Sequence, residues 1–386
     1  MSTLTGTELR DEIERTLRSH GIDAVGVTTV DPFDEVRRSL EDRRARGFHA
    51  GMSFTFSNPR RSTEPSRLLR NAASMVVGAL SYVEERPARP SSTSARIARY
   101  AWRDHYADLR AALDAGAGVL RTAGHRAMVI ADQNGLVDRA AAHRAGIGWW
   151  GRNANLLIPG AGSWFVLGSI VTDAALPPAS EPVADGCRTC RRCIPACPTE
   201  AIVDDGTIDA RRCLAWLVQD TGMFPRAHRV ALGDRLYGCD DCQDVCPPGR
   251  STVGSAVSLG PTGGPPDAWV DVLDLLDAPD ETLLDRHGRW YIPRREPRYL
   301  RRNALVVLGN VGDPRNQRVV DMLRRFMSHD DRLLRAHAVW ACARLGLVDL
   351  VASAADDPDA AVRAEVAMAP TVPPSPSSLV PAGSTR

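Results

Sequence analysis

Four cysteines stand close together near the middle of the chain, in the order Cys-x2-Cys-x2-Cys-x3-Cys-Pro: Cys187, Cys190, Cys193, Cys197 and Pro198. Cys239, Cys242 and Cys246, again followed by a proline, repeat the last three cysteines of this pattern. The spacing is that of bacterial ferredoxins, in which three thiolates bind one 4Fe–4S cluster and the fourth binds a second cluster. The two runs therefore predict a pair of 4Fe–4S clusters.

The second run lacks one ligand, and Cys213, alone between the runs, is the candidate to supply it. The crossover rule then predicts one cluster on Cys187, Cys190, Cys193 and Cys246, and another on Cys197, Cys213, Cys239 and Cys242. Two structural zinc sites are the competing interpretation, because paired Cys-x2-Cys steps also occur in zinc ribbons. The Cys-Pro endings and the use of eight cysteines favour iron. The ninth cysteine, Cys342, lies on the apolar face of a predicted helix and is expected in the core.

The overall composition excludes several classes of protein. The 386 residues include 48 basic and 47 acidic side chains, a net charge of +1, so any binding of nucleic acid needs a local patch. Every basic residue is arginine, which excludes Schiff-base enzymes, pyridoxal-phosphate enzymes and Walker A ATPases, since each needs a lysine. The N-terminal segment is charged and no run has the length and apolarity of a membrane helix, so a cytoplasmic protein with reduced thiols is expected.

Stretches rich in valine and isoleucine, interleaved with amphipathic segments, predict the elements that position these groups. We expect strands at residues 24–30, 73–80, 127–131, 154–158 and 164–171, and helices at 104–123 and 137–145. A capping box at Thr5 and Glu8 predicts a helix at the N-terminus. This alternation is typical of an α/β domain, expected over residues 1–178, with a ferredoxin-type double-cluster domain at 179–256.

A repeated pattern marks the C-terminal part of the chain. The sequence LRRNAL at 300–305 recurs as LRAHAV at 334–339 and more weakly as VRAEV at 362–366, with Asp-Pro turns at 313 and 357. Such spacing is typical of stacked helix pairs and resembles HEAT repeats. A stretch rich in glycine, proline and serine precedes the repeats, from Pro247 to Pro266. We therefore expect a linker at 257–285, an all-α repeat domain at 286–370 and a disordered tail at 371–386.

Two features of the α/β domain are candidates for chemistry. Asp132 follows the strand at 127–131, at the strand end where open α/β sheets place ligands, so it is either a proton donor or a cap of the next helix. Asp138, beside Arg139, is interpreted as a solvated or salt-bridged helix residue. Residues 146–151 have the glycine spacing of a dinucleotide site, but a helix precedes them, so we interpret them as a turn that lets something large and flat approach.

Several motifs together resemble the epoxyqueuosine reductase family. They are residues 132–138, Arg144-Ala145-Gly146-Ile147-Gly148-Trp149, Gly151-Arg152-Asn153, Gly162-Ser163-Trp164-Phe165 and Leu167-Gly168, followed by both cysteine runs in order. The resemblance extends from about Gly47 through the repeats. The chain departs from the family pattern at Arg152, where lysine is frequent, and at Gln133, where serine or threonine is usual.

The resemblance implies an oxidoreductase that reduces epoxyqueuosine to queuosine at the wobble position of tRNA. The reductant would be Co(I) cobalamin fed by the two clusters, with Asp132 as proton donor. The residues expected to contact cobalamin are Arg61, Asp132, Trp149, Asn153, Leu156, Leu157, Ser163, Trp164 and Gly168. No histidine lies in the D-x-H-x-x-G pattern by which some corrinoid proteins supply an imidazole ligand.

The expected partners are a tRNA substrate and an external low-potential electron donor, with no membrane partner and a monomeric chain. A reductive dehalogenase-like reductase acting on another substrate is one alternative, and a ferredoxin-type electron-transfer protein is another. If RNA binds, the candidate patch is a run of seven arginines with Trp290, Tyr291 and Tyr299 among them: Arg286, Arg289, Arg294, Arg295, Arg298, Arg301 and Arg302. The competing interpretation is that these arginines brace the first repeat.

Overall fold

The computed structural model of the chain describes residues 4–178, 181–250 and 266–369. Its strands are β1 (Ala24–Thr29), β2 (Ser74–Ser81), β3 (Ser94–Ile97), β4 (Ala127–Ala131), β5 (Trp149–Trp150), β6 (Leu156–Leu157), β7 (Phe165–Thr172), β8 (Ile202–Asp204), β9 (Thr207–Ile208), β10 (Arg235–Tyr237) and β11 (Trp269–Asp271). Its helices are α1 (Gly6–Ser19), α2 (Asp34–Ala45), α3 (Pro59–Ser62), α4 (His105–Thr122), α5 (Asp138–Arg144), α6 (Leu214–Leu217), α7 (Arg226–Leu232), α8 (Asp241–Asp244), α9 (Pro247–Arg250), α10 (Val272–Asp277), α11 (Asp280–His287), α12 (Arg298–Val311), α13 (Gln317–Met327), α14 (Arg332–Arg344), α15 (Val348–Ala352) and α16 (Ala360–Ala367).

The chain forms two units, and each is discontinuous in sequence. Unit 1 comprises Met1–Glu85, Arg103–Arg211 and Asp240–Pro265. Unit 2 comprises Arg86–Trp102, Arg212–Cys239 and Pro266–Arg386. The predicted domains were continuous segments, so their boundaries differ from these units: part of the cysteine-rich segment belongs to each unit.

Unit 1 is built on a four-stranded sheet of order β1-β2-β7-β4, in which every neighbouring pair is antiparallel. The predicted strands lie within about two residues of those observed. The capping box at Thr5 begins α1 as expected, and α1 and α4 pack together over the sheet. Buried side chains of β2 and β7 form the core with the alanines of α5, which bury one face of that helix.

The antiparallel order decides which residues meet at the end of this sheet. Ser81 at the end of β2 pairs with Phe165 at the start of β7, and Ala131 at the end of β4 pairs with Gly168. The residues just beyond these strand ends therefore lie at the same end of the sheet. They are Tyr82 after β2, Ser163 and Trp164 before β7, and Asp132 after β4.

Unit 2 contains a three-stranded sheet of order β10-β3-β11 and a stack of helices. Helix α14 packs against α12 on one side and α16 on the other, and the three sequence repeats fall within these three helices. The repeat prediction is thus confirmed. Cys342 on α14 is fully buried in the core, as expected.

The described part of the predicted linker, residues 266–285, is structured. It holds β11, α10 and most of α11, and Val272, Leu273, Leu275 and Leu276 are buried in the core of unit 2. The glycines and prolines that suggested a linker stand before residue 267. The tail predicted at 371–386 lies outside the described residues. Among the described helices, none has the length and apolarity to cross a membrane.

Candidate active site

Asp132 directly follows β4 and has a backbone φ of 53°, a left-handed conformation that is uncommon for residues other than glycine. Its side chain is exposed, yet partial desolvation raises its pKa, which the nearby Arg110 guanidinium opposes. Arg110 also donates a hydrogen bond to the carbonyl of Ala131, at 3.3 Å. The next helix, α5, is capped at Val137 without a side-chain hydrogen bond. Asp132 is therefore not a helix cap, and its carboxyl group is available to a ligand.

Asp138 is the first residue of α5; it was expected to be solvated or salt-bridged, and it is half-buried and forms no ion pair with a described residue. Burial raises its pKa well above the ordinary carboxyl value; the charge of Asp132 raises it further, and Arg139 opposes this. Its Oδ1 atom has no hydrogen-bond partner among the described residues. A half-buried carboxyl group with a raised pKa and a buried, unused oxygen is a candidate for a functional site.

Tyr106, near the start of α4, completes this group of acids. Burial raises its pKa, as do the neighbouring charges of Asp132 and Asp138. The guanidinium of Arg110 lies over its ring, 5.8 Å from the ring centroid. We call Tyr106, Asp132 and Asp138 the acid pocket. Sequence reasoning missed Tyr106 and underestimated the burial of Asp138; the signal for Asp138 was the alanine run after it, since Ala140, Ala141 and Ala142 are the residues of α5 that pack into the core.

Several residues predicted to contact cobalamin surround the acid pocket. Arg139 donates to the carbonyl of Ala154 at 3.1 Å, which joins α5 to the segment that carries Asn153. Asn153 is buried, and its Nδ2 atom has no hydrogen-bond partner among the described residues. Arg61 is exposed on α3, beside Ser62, whose hydroxyl donates to the carbonyl of Asn134 at 2.7 Å. These contacts place Arg61 and Asn153 on segments that flank the loop from Asp132 to Asp138.

Other predicted cobalamin contacts are used for packing within the protein. Gly168 faces α4, where a Cβ atom would lie 2.7 Å from Leu113. Leu156 and Leu157 form β6, which pairs with β5 at Trp149, and all three are buried. The glycines at 148 and 151 leave room for Leu157. The close approach that the glycine-rich turn permits is thus to the chain's own hairpin.

Ser163 and Trp164 contact the second cysteine run and the residues that follow it. Gln243, between Cys242 and Cys246 in sequence, donates from Nε2 to the Ser163 carbonyl at 3.0 Å and to the Tyr82 hydroxyl at 3.1 Å. Trp164 is fully buried, and its indole N–H donates to the carbonyl of Gly249 at 3.2 Å. These hydrogen bonds attach the segment from Cys242 onward to the end of the sheet that holds the acid pocket. Gln243 carried no sequence signal apart from its place between two cysteines.

Four cysteines of unit 1 lie close to one another. Burial is the main cause that raises the pKa of the Cys246 thiol to about 11, and the neighbouring Cys187, Cys193 and Cys190 contribute to that rise. These four are the residues predicted for the first cluster. Cys197 and Cys242 also belong to unit 1, whereas Cys213 and Cys239 belong to unit 2. The second ligand set stays a prediction from the spacing.

Hydrogen bonds to sulfur are already in place at two of these cysteines. The indole N–H of Trp149 donates to Sγ of Cys187 at 3.4 Å, and the backbone N–H of Ala201 donates to Sγ of Cys197 at 3.2 Å. Such donors stabilise thiolate ligands and adjust the reduction potential of a cluster. Trp149, predicted to contact cobalamin, therefore acts on a cluster ligand.

The seven arginines of residues 286–302 differ in what they can bind. Arg302 is completely buried, and its guanidinium donates to the carbonyls of Asp220 (2.7 Å), Gly222 (2.9 Å) and Leu217 (3.0 Å). Its predicted contact with tRNA phosphate is therefore wrong. Three others form ion pairs within unit 2, Arg289 with Asp267, Arg298 with Asp331 and Arg301 with Asp280. Arg286, Arg294 and Arg295 are exposed and form no ion pair with described residues, and Tyr291 beside them is 58% exposed.

Comparison with known sequence families supports both the cysteine and the repeat predictions. Residues 186–249 match a 4Fe–4S double cluster binding domain, and residues 291–369 match HEAT repeats. The cysteines thus bind two iron–sulfur clusters, and the match favours this interpretation over two structural zinc sites. A double 4Fe–4S module in a chain with an acid pocket and helical repeats defines the class of protein: an iron–sulfur oxidoreductase with a HEAT domain.

The relatives identify the family. The chain is 31% identical over 348 residues to the epoxyqueuosine reductase of Staphylococcus aureus, covering 88% of this chain and 89% of that protein. It is 32% identical over 349 residues to the epoxyqueuosine reductase of Bacillus subtilis, covering 88% of each chain. A crystal structure of selenomethionine-labelled epoxyqueuosine reductase matches with a TM-score of 0.86 at 28% identity, covering 94% of this chain and 98% of that chain. A structure of epoxyqueuosine reductase with a tRNA-Tyr epoxyqueuosine-modified tRNA stem loop matches with a TM-score of 0.85 at 28% identity, with the same coverage. This chain belongs to the epoxyqueuosine reductase family.

Proposed function

We propose that this chain reduces the epoxide of epoxyqueuosine to the alkene of queuosine at the wobble position of tRNA. Two 4Fe–4S clusters deliver electrons, cobalamin is the second redox cofactor, and Asp132 donates a proton to the departing oxygen. The observation that carries this proposal is the position of the acid pocket. It lies at the same end of the sheet as Tyr82, which accepts a hydrogen bond from Gln243 of the cysteine run. The proposed proton donor and a segment that carries proposed cluster ligands thus lie at the same end of the sheet in unit 1.

The overall reaction consumes two electrons and two protons: the epoxide oxygen leaves as water, both of its C–O bonds break, and a C=C bond forms. Expulsion of an unprotonated alkoxide is unfavourable, so a positioned acid accelerates the step. Asp132 suits this role because its exposed carboxyl group can reach a substrate while partial desolvation raises its pKa. Asp138, which is half-buried with a buried Oδ1 atom, has its pKa raised further and stays protonated more readily. Asp138 is therefore the more readily protonated member of the pair.

The residues around the acid pocket fit an amide-rich cofactor such as cobalamin. A corrin carries peripheral amides that both donate and accept hydrogen bonds. The unused Oδ1 of Asp138 can accept one and the unused Nδ2 of Asn153 can donate one. When bound, cobalamin supplies a strongly reducing, nucleophilic cobalt centre.

Asp138 and Asn153, with Arg61 at the exposed margin, are the side chains that we propose hold this cofactor. Ser163, Trp164 and Trp149 act on the cysteine runs, and Leu156, Leu157 and Gly168 shape the fold beneath.

Two measurements test this function. Anaerobically purified protein should contain about eight irons and eight labile sulfides per chain; two zinc ions without sulfide would contradict the cluster assignment. With cobalamin and a chemical reductant, the protein should convert an epoxyqueuosine-containing stem loop into a product that lacks one oxygen atom by mass spectrometry. A protein that reduces cobalamin but leaves the stem loop unchanged would favour the alternative, a related reductase with another substrate.

The tRNA contact that we propose is narrower than the arginine run predicted from sequence. It uses Arg286, Arg294 and Arg295 with Tyr291, because these side chains are exposed and the arginines form no ion pair within the described part of the chain. Each phosphate contact adds roughly 0.7 to 0.9 to the slope of log affinity against log salt. The triple change Arg286→Gln, Arg294→Gln and Arg295→Gln should flatten this slope by about two to three units. The matched control is Arg315→Gln, a single exposed arginine on another loop of unit 2, which should leave the slope unchanged.

A further inference from the structure

The loop that carries the first three cysteines also carries three exposed arginines. Arg188, Arg191 and Arg192 stand between Cys187 and Cys193, and all three side chains are exposed. Arg191 forms an ion pair with Asp205 at 3.2 Å. Arg188 and Arg192 form no ion pair with described residues. Two positive charges without an acidic side-chain partner among the described residues therefore lie beside the ligands of the first cluster. The net charge of the whole protein is only +1.

The backbone of this loop is held in place from beneath. Arg152 pairs with Asp205 and also donates to the carbonyl of Arg188, whose φ is 45°. Asp185 accepts the backbone N–H of Cys187 at 2.8 Å. Asp185 and Asp205 are thus both hydrogen-bonded or ion-paired to groups of this loop or to Arg152 beneath it. The side chains of Arg188 and Arg192 remain directed to solvent.

The two cysteine runs differ in their distance from the acid pocket. Gln243, next to Cys242, donates to the Tyr82 hydroxyl at 3.1 Å, at the sheet end that holds the acid pocket. The run at 242–246 therefore approaches the pocket, whereas the loop at 187–193 reaches the surface. Electrons that enter from outside would meet the first cluster at this exposed loop.

We infer that Arg188 and Arg192 form the docking surface for an acidic protein that carries a single-electron redox centre close to its own surface. The inference rests on the proposed function only in requiring a 4Fe–4S cluster on Cys187, Cys190, Cys193 and Cys246. In each encounter the donor loses one electron and the cluster passes from the 2+ to the 1+ state; no bond or proton is transferred. Two encounters supply the two electrons of one turnover.

An acidic partner is favoured by the chemistry of such encounters. Electron-transfer complexes are small and short-lived, so a few charges decide how fast they form. Opposite charges around the two redox centres steer them together and can raise association rates by 10-fold or more. A partner charge within a Debye length of this loop, about 10 Å at 0.1 M salt, would also bring the partner's redox centre near the cluster.

The test measures reduction of the first cluster in the anaerobic holoenzyme by a flavodoxin hydroquinone, a small acidic one-electron donor. The double variant Arg188→Glu and Arg192→Glu should lower the second-order rate on the order of 10-fold or more at low salt. The difference should shrink as salt is added, because screening removes the steering. Reduced methyl viologen, a small cation, should reduce the variant at least as fast as the unchanged protein.

The control variant carries Arg315→Glu and Arg318→Glu, which give the same net charge on exposed residues of unit 2. It should keep the full rate with flavodoxin. An equal loss in this control, or an unchanged rate in the Arg188 and Arg192 variant, would overturn the inference. Weakened stem-loop binding with an unchanged flavodoxin rate would overturn it too, since the loop would then contact RNA.

Iron content separates this inference from the proposed function. If the charge-reversed protein loses iron, the milder change of Arg188 and Arg192 to Gln provides the same comparison with half the change in charge. Absence of iron from the unchanged protein would refute both proposals. Full iron content with an unaltered flavodoxin rate would refute the docking surface alone.

Discussion

Two regions of the molecule withdraw polar atoms of a side chain that is charged in water. The acid pocket of unit 1 does so with Asp138, and the start of α12 in unit 2 does so with Arg302. Asp138 keeps one carboxyl oxygen without a hydrogen-bond partner among the described residues, and its pKa is raised well above the ordinary value by burial. Arg302 donates to four backbone carbonyls and to Asn303, and burial lowers its pKa to about 10. Asp138 therefore keeps hydrogen-bonding capacity for a ligand, whereas Arg302 uses its hydrogen-bonding capacity inside the protein.

This difference teaches how to distinguish a binding site from a support. A buried polar atom without a partner costs free energy, so it persists where a ligand or reaction needs it. A buried guanidinium that is fully hydrogen-bonded organises the chain around it. Arg302 holds residues 217–222, which follow Cys213, and its neighbour Asn303 donates to the carbonyls of Val218 and Leu236. The first repeat helix thus supports the segment between two predicted cluster ligands of unit 2.

The largest effect that we expect comes from Asp132→Asn. The amide keeps the shape of the side chain but cannot transfer a proton, so kcat should fall by about 10²- to 10⁴-fold. Cobalamin and iron contents should stay unchanged. Asp138→Asn should be much milder, because a protonated carboxyl group and an amide are both neutral. Reversed effects, measured as stem-loop turnover under single-turnover conditions, would assign the proton donor to Asp138.

The second expected effect is on stability and comes from Arg302→Met. Methionine fills a similar length but leaves the carbonyls of Leu217, Asp220 and Gly222 without their donor, so the free energy of unfolding should fall by about 3 kcal/mol. Thermal unfolding followed by circular dichroism measures this change. Arg298→Met is the matched control, one turn away and half-exposed, and should cost less than about 1 kcal/mol. Equal losses in both variants would mean that the carbonyl bonds of Arg302 carry no special weight.

The contrast between these arginines shows what the sequence could not give. Arg298, Arg301 and Arg302 lie on one helix and are chemically identical, so a basic run with aromatic neighbours predicts RNA binding for all of them. Availability depends on tertiary packing, which places Asp331 and Asp280 beside two of them and encloses the third. The side chains of Arg298 and Arg301 keep 40% and 13% of their surface exposed, whereas Arg302 is fully buried. Its neighbours on the helix face, Leu305 and Val306, were the only local signal for that inward position.

Other parts of the molecule were predictable because local rules determine them. The cysteine spacing predicted the cluster domain, and the repeated pattern at 300, 334 and 362 predicted the stacked helices. Strand positions in unit 1 followed from their apolar residues. The strand order did not, since antiparallel neighbours far apart in sequence are chosen by tertiary packing. That order brings Tyr82, Asp132 and Ser163 to one end of the sheet, and no single motif contains all three.

The smallest expected effect concerns the pH dependence of stability and compares the unchanged protein with Asp138→Asn. In the unfolded chain Asp138 loses its proton at about pH 3.9, whereas in the native protein burial raises its pKa well above this value. Between these two pKa values the native state binds more protons than the unfolded state, so stability falls as pH rises through that window. Asparagine does not titrate and removes this contribution. The stability of the unchanged protein relative to Asp138→Asn should therefore decline by up to about 1.4 kcal/mol per pH unit from about pH 4 upward, and level off above the native pKa. Thermal unfolding of both holoproteins between about pH 5 and pH 8 measures the difference, and Asp114→Asn, an exposed acid on α4, controls for the loss of a charge. Parallel stability curves for the unchanged protein and Asp138→Asn would show that Asp138 is ionised in the native protein, and the acid pocket would then hold a charge that Arg139 must balance.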